Sequence, residues 1–326
     1  MDLGGTNIKT GVVDDLGRTV AWLSVPTQVP DGAEAAVKRM ADSIRQALQQ
    51  TQVSPDQVLG VGLGAPGTMD VPAGMLLKPL NLKGWDRFPI RDRLRELCGF
   101  PVTFANDANA AAYGEYWLGS GKDYPSLALF TLGTGVGGGV ILGDSAIDGQ
   151  NSHGAELGHL TINYDDDARQ CSCGQFGHVE SYAGATAVIA RAQNALNAGR
   201  ESSLQNDLAD GAELTPKLLA GHAENGDELS LEIILETARC LALGIVDVMH
   251  VIDPAAVIIG GAMTFGRDQT HVGRRFLARV KEVVLQRTFP VLAERIIVQY
   301  ASLGSDAGYI GAAGLARFAC RPQSSA

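Results

Sequence analysis

MDLGGTNIKTGVVDDLGRTV (residues 1–20) sets a glycine pair between two short β-branched runs and turns again at Asp15–Gly17. It reads as strand, glycine turn, strand, turn, strand. SLALFTLGTGVGGGVILGD (126–144) repeats the pattern. Each copy is followed by a buried strand that runs into glycines, VLGVGLGAPGTMD (58–70) and AAVIIGGAM (255–263). That is a weak internal duplication. Helices separate these pieces. DGAEAAVKRMADSIRQALQQ (31–50) spaces Val37, Met40, Ile44 and Leu48 by three and four, with Asp31 as the expected N-cap. PVTFANDANAAAYGEYWLG (101–119) reads as a strand ending at Ala105 and a helix starting near Asn106–Asp107. LEIILETARCLALGIVDVMHVIDP (231–254) reads as one long helix. Strands alternating with helices predict an α/β fold rich in parallel sheet, its two halves facing a central cleft.

Bulk composition agrees. A chain of 326 residues has room for two domains at roughly 150 residues each. Its 45% hydrophobic content can build real cores, and its 40 glycines are clustered as in ligand loops. A formal net charge of −10 argues against nucleic-acid binding, which runs on phosphate neutralisation, and against an anionic membrane surface. The N-terminus lacks a signal-peptide pattern, and the best apolar run, CLALGIVDVMHVI, carries Asp247 and His250. Five cysteines without a secretory signal read as reduced thiols of a cytoplasmic protein. A hinge is expected in WLGSGKDYP (117–125). The small-residue helix within SLGSDAGYIGAAGLARF (302–318) is expected to pack back on the first half, and the tail CRPQSSA to be disordered.

DLGGTN (2–7) and LGTGVGGG (132–139) offer backbone N–H groups that a phosphate can approach. Neither fits a Walker A loop. Gly133, Gly135 and Gly138 imitate dinucleotide-binding spacing, but a strand rather than a helix is predicted to follow. One such turn reads as a tight hairpin; two at matching places favour nucleotide binding. CSCGQFGHVE (171–180) poses a separate question: metal site, redox pair, or a loop with two thiols. Its C-x-C spacing is not that of a thioredoxin-like pair.

Taken in order, DLGGTNIK, APG (65–67), FANDANAAAYGE (104–115), LGTGVGGG, GAELGH (154–159), CSCGQFGHVES and IIGG (258–261) resemble the ROK family of sugar kinases and repressors. The resemblance spans nearly the whole chain and is nearest to the family's bacterial glucokinases. It implies the two-lobed actin-like ATPase (ribonuclease H-like) fold with duplicated lobes around the cleft. Residues 1–118, completed by a C-terminal helix at 304–320, would form the small lobe, and 119–303 the large lobe. The implied reaction is ATP-dependent phosphorylation of glucose at the 6-hydroxyl, with magnesium. N-acetylmannosamine or N-acetylglucosamine is the alternative substrate, and a sugar-responsive repressor or a silent sugar-binding protein the alternative class. Polyphosphate stays open as donor.

The resemblance also implies roles. Gly4, Gly5, Thr6, Asn7 and Lys9, with Thr134, Gly135 and Gly137, would hold the ATP phosphates. Asp2 would face magnesium, and Gly260 and Gly261 would leave room for adenosine. Asp107 would be the general base, a modest demand in a loose phosphoryl-transfer transition state. Asn106, Gly67, Glu156, His159 and Glu180 would meet the sugar. The plain alternative is that Asn106 and Asp107 only cap a helix. The family's usual C-x-C-G-x-x-G-C-x-E run has His178 in place of its third cysteine here, so the implied zinc ligands are His159, Cys171, Cys173 and His178. Four protein ligands make a structural site. A metal-free loop is the alternative. Only Met1 precedes Asp2 in the first strand, so a start further upstream is one expectation. A homodimer or homotetramer is open. His250 is expected as a buried core residue.

Overall fold

The computed structural model describes residues 1–79 and 81–320. The tail expected to be disordered lies, apart from Cys320, outside the described residues. Two compact units emerge. One comprises Met1–Ser126, Gly139–Ala155 and the chain from Ser302 onward; the other comprises Leu127–Gly138 and Glu156–Ala301. Packing therefore draws its line elsewhere than the lobe boundaries read from sequence. Residues 139–155 go with the first unit, tied there by the hydrogen bond from Asn109 to Asp148 (2.9 Å) and from the Val71 N–H to Ser152 Oγ (2.9 Å).

In chain order the first part holds β1 (Asp2–Leu3), β2 (Asn7–Val13), β3 (Thr19–Pro26), α1 (Ala33–Gln49) and β4 (Val61–Ala65). A small hairpin follows, β5 (Thr68–Asp70) and β6 (Met75–Lys78), then α2 (Ile90–Cys98), β7 (Val102–Asn106) and α3 (Asp107–Trp117). Next come β8 (Ser126–Leu132), β9 (Val136–Leu142) and β10 (Ser145–Ala146), then α4 (Glu180–Ala183), α5 (Ala185–Asn197), α6 (Leu204–Ala209), α7 (Pro216–Glu224) and α8 (Glu228–Val251). The chain closes with β11 (Ala256–Gly261), α9 (His271–Arg287), α10 (Pro290–Ala293), β12 (Ile297–Tyr300) and α11 (Ala307–Ala319).

One sheet has the order β3-β2-β1-β4-β7 and the other β10-β9-β8-β11-β12. Counted within its own sheet, each reads third, second, first, fourth, fifth. The duplication seen in the two glycine-turn stretches is thus a duplication of topology. β1 runs antiparallel to β2 and parallel to β4, and β4 is parallel to β7. In the second sheet β8, β11 and β12 are mutually parallel neighbours, with Val257, Ile258 and Ile259 fully buried. Such continuous apolar runs are what a sheet covered on both faces requires.

The alternation of β4, VGLGA, explains how the first sheet is covered. Val61, Leu63 and Ala65 join one core with Met40 and Ile44 of α1 and Leu94 of α2. Side chains alternate across a strand, so Gly62 and Gly64 face the other way. There the α11 and α3 backbones come close. A Cβ on Gly62 would overlap the Ala312 carbonyl, and one on Gly64 would stand 3.3 Å from Ala110 Cβ. Gly311 of α11 meets the Ala110 carbonyl in the same way. The small-residue helix α11 packs here against β4 and α3. Glu115 of α3 secures the same region. Fully buried, its carboxylate accepts from Ser120 (N–H 2.9 Å, hydroxyl 3.0 Å), Ser302 (N–H 3.1 Å, hydroxyl 3.3 Å) and the Leu303 N–H (2.8 Å).

Two expectations need correction. Asp31 does not cap α1: the helix starts at Ala33 behind Gly32, and Asp31 sits in a 3-10 turn paired to Arg39 at 3.0 Å. The 3-10 turn Val29–Asp31 moved the start by one residue. His250 is exposed rather than buried, and its Nε2 accepts the Phe289 N–H at 3.1 Å. Among the described residues no helix is long and apolar enough to cross a membrane.

The close approach has a measurable cost when blocked. Gly62→Ala should destabilise the protein by about 1–3 kcal/mol through overpacking. Gly221→Ala, in α7 with open space around it, should gain up to about 1 kcal/mol. Urea midpoints followed by circular dichroism read both; an unshifted midpoint for Gly62→Ala contradicts the backbone-to-backbone contact.

Candidate functional site

In the first unit the turn between β1 and β2 closes through the Gly4 N–H to the Asn7 carbonyl, 2.9 Å. Thr27, fully buried, fastens it: its N–H donates to the Thr6 carbonyl (2.8 Å) and its hydroxyl to the Gly4 carbonyl (2.6 Å). Gly5, Thr6 and Asn7 remain exposed. Asp2 lies just before the turn. Burial pushes its carboxyl above the ordinary carboxylate range, against the pull of the α-amino group and Lys9. A bound cation would reverse that balance. Gly308 of α11 lies over this carboxylate, with room for no more than hydrogen: a Cβ there would come within 2.8 Å of it. Lys9 Nζ donates to the Ser305 carbonyl at 2.9 Å.

At the β7–α3 junction Asn106 is the N-cap. Its Oδ1 accepts the N–H of Ala108 (2.8 Å) and Asn109 (3.3 Å). Asp107 follows as the first helical residue, and its Oδ1 also accepts the Ala108 N–H at 2.8 Å. Two acceptors thus stand at the positive end of α3, where negative charge is favoured. Asn109, buried one turn on, donates to Asp148, and its own Oδ1 has no protein partner among the described residues. Gly67 stands beyond β4 at φ 91°, its α-hydrogens facing Pro79 where a Cβ would clash.

In the second unit the turn between β8 and β9 closes through the Gly133 N–H to the Gly135 carbonyl, 3.0 Å. β9 begins at Val136, so a strand follows this turn, as the sequence predicts. The start of α5 fastens it: the Ala185 N–H donates to the Gly133 carbonyl (2.9 Å), and the Thr186 hydroxyl to the Thr134 carbonyl (3.4 Å). Thr134 is exposed. β11 ends at Gly260 and Gly261; the latter, at φ 91°, lies against the Leu132 backbone.

Glu156 and His159 share one 3-10 turn, with the His159 N–H on the Glu156 carbonyl at 2.9 Å. His159 also belongs to a second cluster. One ligand atom each of His159, Cys171, Cys173 and His178 lies within 4.8 Å of all the others. The Nδ1 atoms of the two histidines are 3.3 Å apart, Cys171 Sγ is 3.7 Å from Nδ1 of His159, and Cys173 Sγ is 3.4 Å from Nδ1 of His178. A tetrahedral ion held at about 2.0–2.1 Å by nitrogen and about 2.3 Å by sulfur spaces two nitrogens about 3.3 Å apart, and nitrogen from sulfur about 3.6 Å. The four donors fit that figure. Burial, and then His159 beside it, push His178 below its ordinary value, which leaves a neutral imidazole at pH 7. Burial pushes the Cys171 thiol up to about 11, so an ion there must displace a proton.

The Glu180 carboxylate is engaged at both oxygens. Oε2 accepts the Val136 N–H at 3.1 Å, and Oε1 accepts the Ser172 hydroxyl with Cys171 Sγ at 3.5 Å. Thr27, Glu115, Asn109 and Asp148 were not singled out by sequence. A buried threonine or glutamate leaves no spacing pattern; the second asparagine of FANDAN was the one available hint.

Comparison with known proteins sets these halves in context. The sequence profile of the ROK family matches residues 1–318. This chain belongs to the ROK family. It is 32% identical over 311 residues to a glucokinase of Halalkalibacterium halodurans, covering 95% of this chain and 92% of that one. A ROK hexokinase from Thermus thermophilus superposes with a TM-score of 0.81 at 30% identity, covering 98% and 97% of the two chains. A ROK glucokinase from Streptomyces griseus, solved with glucose and AMPPNP, gives 0.78 at 32%, covering 97% and 98%. The ROK chain therefore has the actin-like ATPase fold, its two sheets being the duplicated element.

Capping and chemistry separate at Asn106. Asn106→Ala should cost about 1 kcal/mol of stability, and Asn106→Ser should retain most of it. Thermal unfolding of the two variants reads the difference; equal losses would mean that the side chain does not cap α3.

Proposed function

We propose that the chain is a glucokinase, transferring the γ-phosphoryl group of ATP to the 6-hydroxyl of glucose with magnesium. The observation that carries this reading is near-full-length identity of 31–34% to glucokinases, together with Asp107 at the start of α3. Phosphoryl transfer needs positioning and charge neutralisation more than covalent help. In this reading the turn residues Gly4, Gly5 and Thr6, and Thr134, Gly135 and Gly137, hold the phosphates, with Asn7 and Lys9 beside the first. Asp2 faces the magnesium, and Gly260 and Gly261 leave space for adenosine. Asp107 takes the proton of the 6-hydroxyl, while Gly67, Asn106, Glu156, His159 and Glu180 serve the sugar. The acidic chain works in the cytoplasm.

ADP release with magnesium and ATP is the test, run over glucose, N-acetylglucosamine, N-acetylmannosamine, mannose and fructose. Glucose should give the highest kcat/KM, and Asp107→Ala should lower kcat by at least about 10²-fold. A preferred N-acetylhexosamine would move the chain to the alternative substrate, and full activity in Asp107→Ala would remove the base.

The same reading places a structural zinc on His159, Cys171, Cys173 and His178. These four side chains would hold the zinc, which would anchor the loop; Nδ1 of His159, the nitrogen 3.7 Å from Cys171 Sγ, would serve the ion and leave Nε2 for the sugar. Thiolates are the bound form, so protons compete with zinc and affinity falls as pH falls. About one zinc per chain is expected, with affinity against a competing chelator dropping roughly a hundredfold per pH unit between pH 8 and 6.5. Absence of zinc from active protein, or a pH-independent affinity, contradicts the assignment.

A further inference from the structure

Glu180 touches the metal loop with one oxygen and the second glycine turn with the other. It is the first residue of α4 and follows His178 by two. Oε1 receives the hydroxyl of Ser172, the residue between Cys171 and Cys173. Oε2 receives the N–H of Val136, which follows Gly135 directly. Gly135 has no room for a Cβ because this carboxylate occupies the place. The segment after Glu180 then takes up both carbonyls of the turn, through Ala185 on Gly133 and Thr186 on Thr134. The other side of the metal cluster is tied in as well: the Val179 N–H donates to the Leu160 carbonyl, next to His159. The Cys-x-Cys segment, the histidines and the phosphate turn thus meet at one two-ended carboxylate.

We propose that Glu180 is a positioning residue that couples metal occupancy at His159, Cys171, Cys173 and His178 to the conformation of the turn Gly133–Val136, so that metal and nucleotide bind cooperatively. The nucleotide half rests on the reading of this turn as a phosphate loop. A loop without its ion has no fixed place for Ser172, and the carboxylate loses the partner that orients it. Val136 then loses a charged acceptor, and charge-assisted bonds of this kind are among the stronger ones. Coupling of two sites is reciprocal: the factor by which zinc tightens nucleotide is the factor by which nucleotide tightens zinc.

The experiment uses the full chain, zinc-loaded and chelator-stripped, without sugar, so that a sugar contact of Glu180 cannot contribute. Titration with magnesium AMPPNP should show about tenfold weaker binding to the stripped protein, and zinc binding should tighten about tenfold when AMPPNP is present. Hydrogen exchange of a peptide spanning residues 133–139 should quicken on stripping while the β11 strand, 256–261, stays protected. In zinc-loaded Glu180→Gln the same peptide should exchange faster although zinc is retained, and the AMPPNP affinity should no longer respond to zinc. Equal AMPPNP affinity with and without zinc, or unchanged exchange at 133–139 in both the stripped protein and Glu180→Gln, overturns the coupling. If loaded wild type binds no AMPPNP, the nucleotide reading fails with its half of the proposal, and the exchange data alone then decide whether metal and turn are coupled.

Discussion

A helix can bring its backbone onto a strand backbone only where no strand side chain stands at the crossing, and Gly62 of β4 meets that condition against the Ala312 carbonyl of α11. Much of the first unit follows from it. With α11 seated so close, Gly308 comes down over Asp2, and Lys9 reaches the carbonyl of Ser305 ahead of the helix. Glu115 then collects donors from the two stretches around Ser120 and Ser302. A carboxylate enclosed like this is stable only because its oxygens meet N–H and hydroxyl groups on several sides. The glycines set the distance, and the polar contacts hold it.

The polar residues around the two glycine turns obey a common rule. Each turn has its carbonyls tied down by a neighbouring segment, Thr27 in one unit and Ala185 with Thr186 in the other. Tying down carbonyls leaves amides as the groups a turn offers outward, and amides are what an anion seeks. The two turns reach this result with unrelated partners, one a single threonine before a 3-10 turn and the other the start of a helix. Likeness of topology did not require likeness of support.

Much of this was legible in the sequence, for physical reasons. The glycine turns announce themselves because few other residues tolerate such geometry, and the alternation in VGLGA marks a strand whose faces differ. Asn106 and Asp107 carry a helix-start signature, whereas only the resemblance to the ROK family, not spacing, groups the Cys-x-Cys pair with the two histidines. Less legible was whatever depends on partners distant in sequence. Glu115 looks like any helix glutamate until residues 302 and 303 are brought to it. The β5–β6 hairpin is too short to show periodicity. Asp31 resembled a cap because its chemistry was right, but Gly32 took the position. His250 sits on an apolar helix, yet at its last turn, where the exposed side begins. Nor did the sequence reveal that the Glu180 carboxylate has both oxygens engaged within its own unit.

The place of α11 in chain order has a bearing on biosynthesis. A ribosome delivers β1 to α3 early, then all of residues 156–301, and only afterwards the helix that covers the glycine face of the first sheet. Until then the glycine side of that sheet has α3 against Gly64 but nothing yet against Gly62. The later-made unit has its own strands and helices in hand by the time α11 emerges, so the nascent chain is expected to finish its second body before its first. A half-covered sheet face is an invitation to aggregate during that wait, and an open stretch built from glycine rather than leucine or valine gives an intruding chain little to grip. The same small residues that admit the helix backbone also keep the unfinished surface quiet.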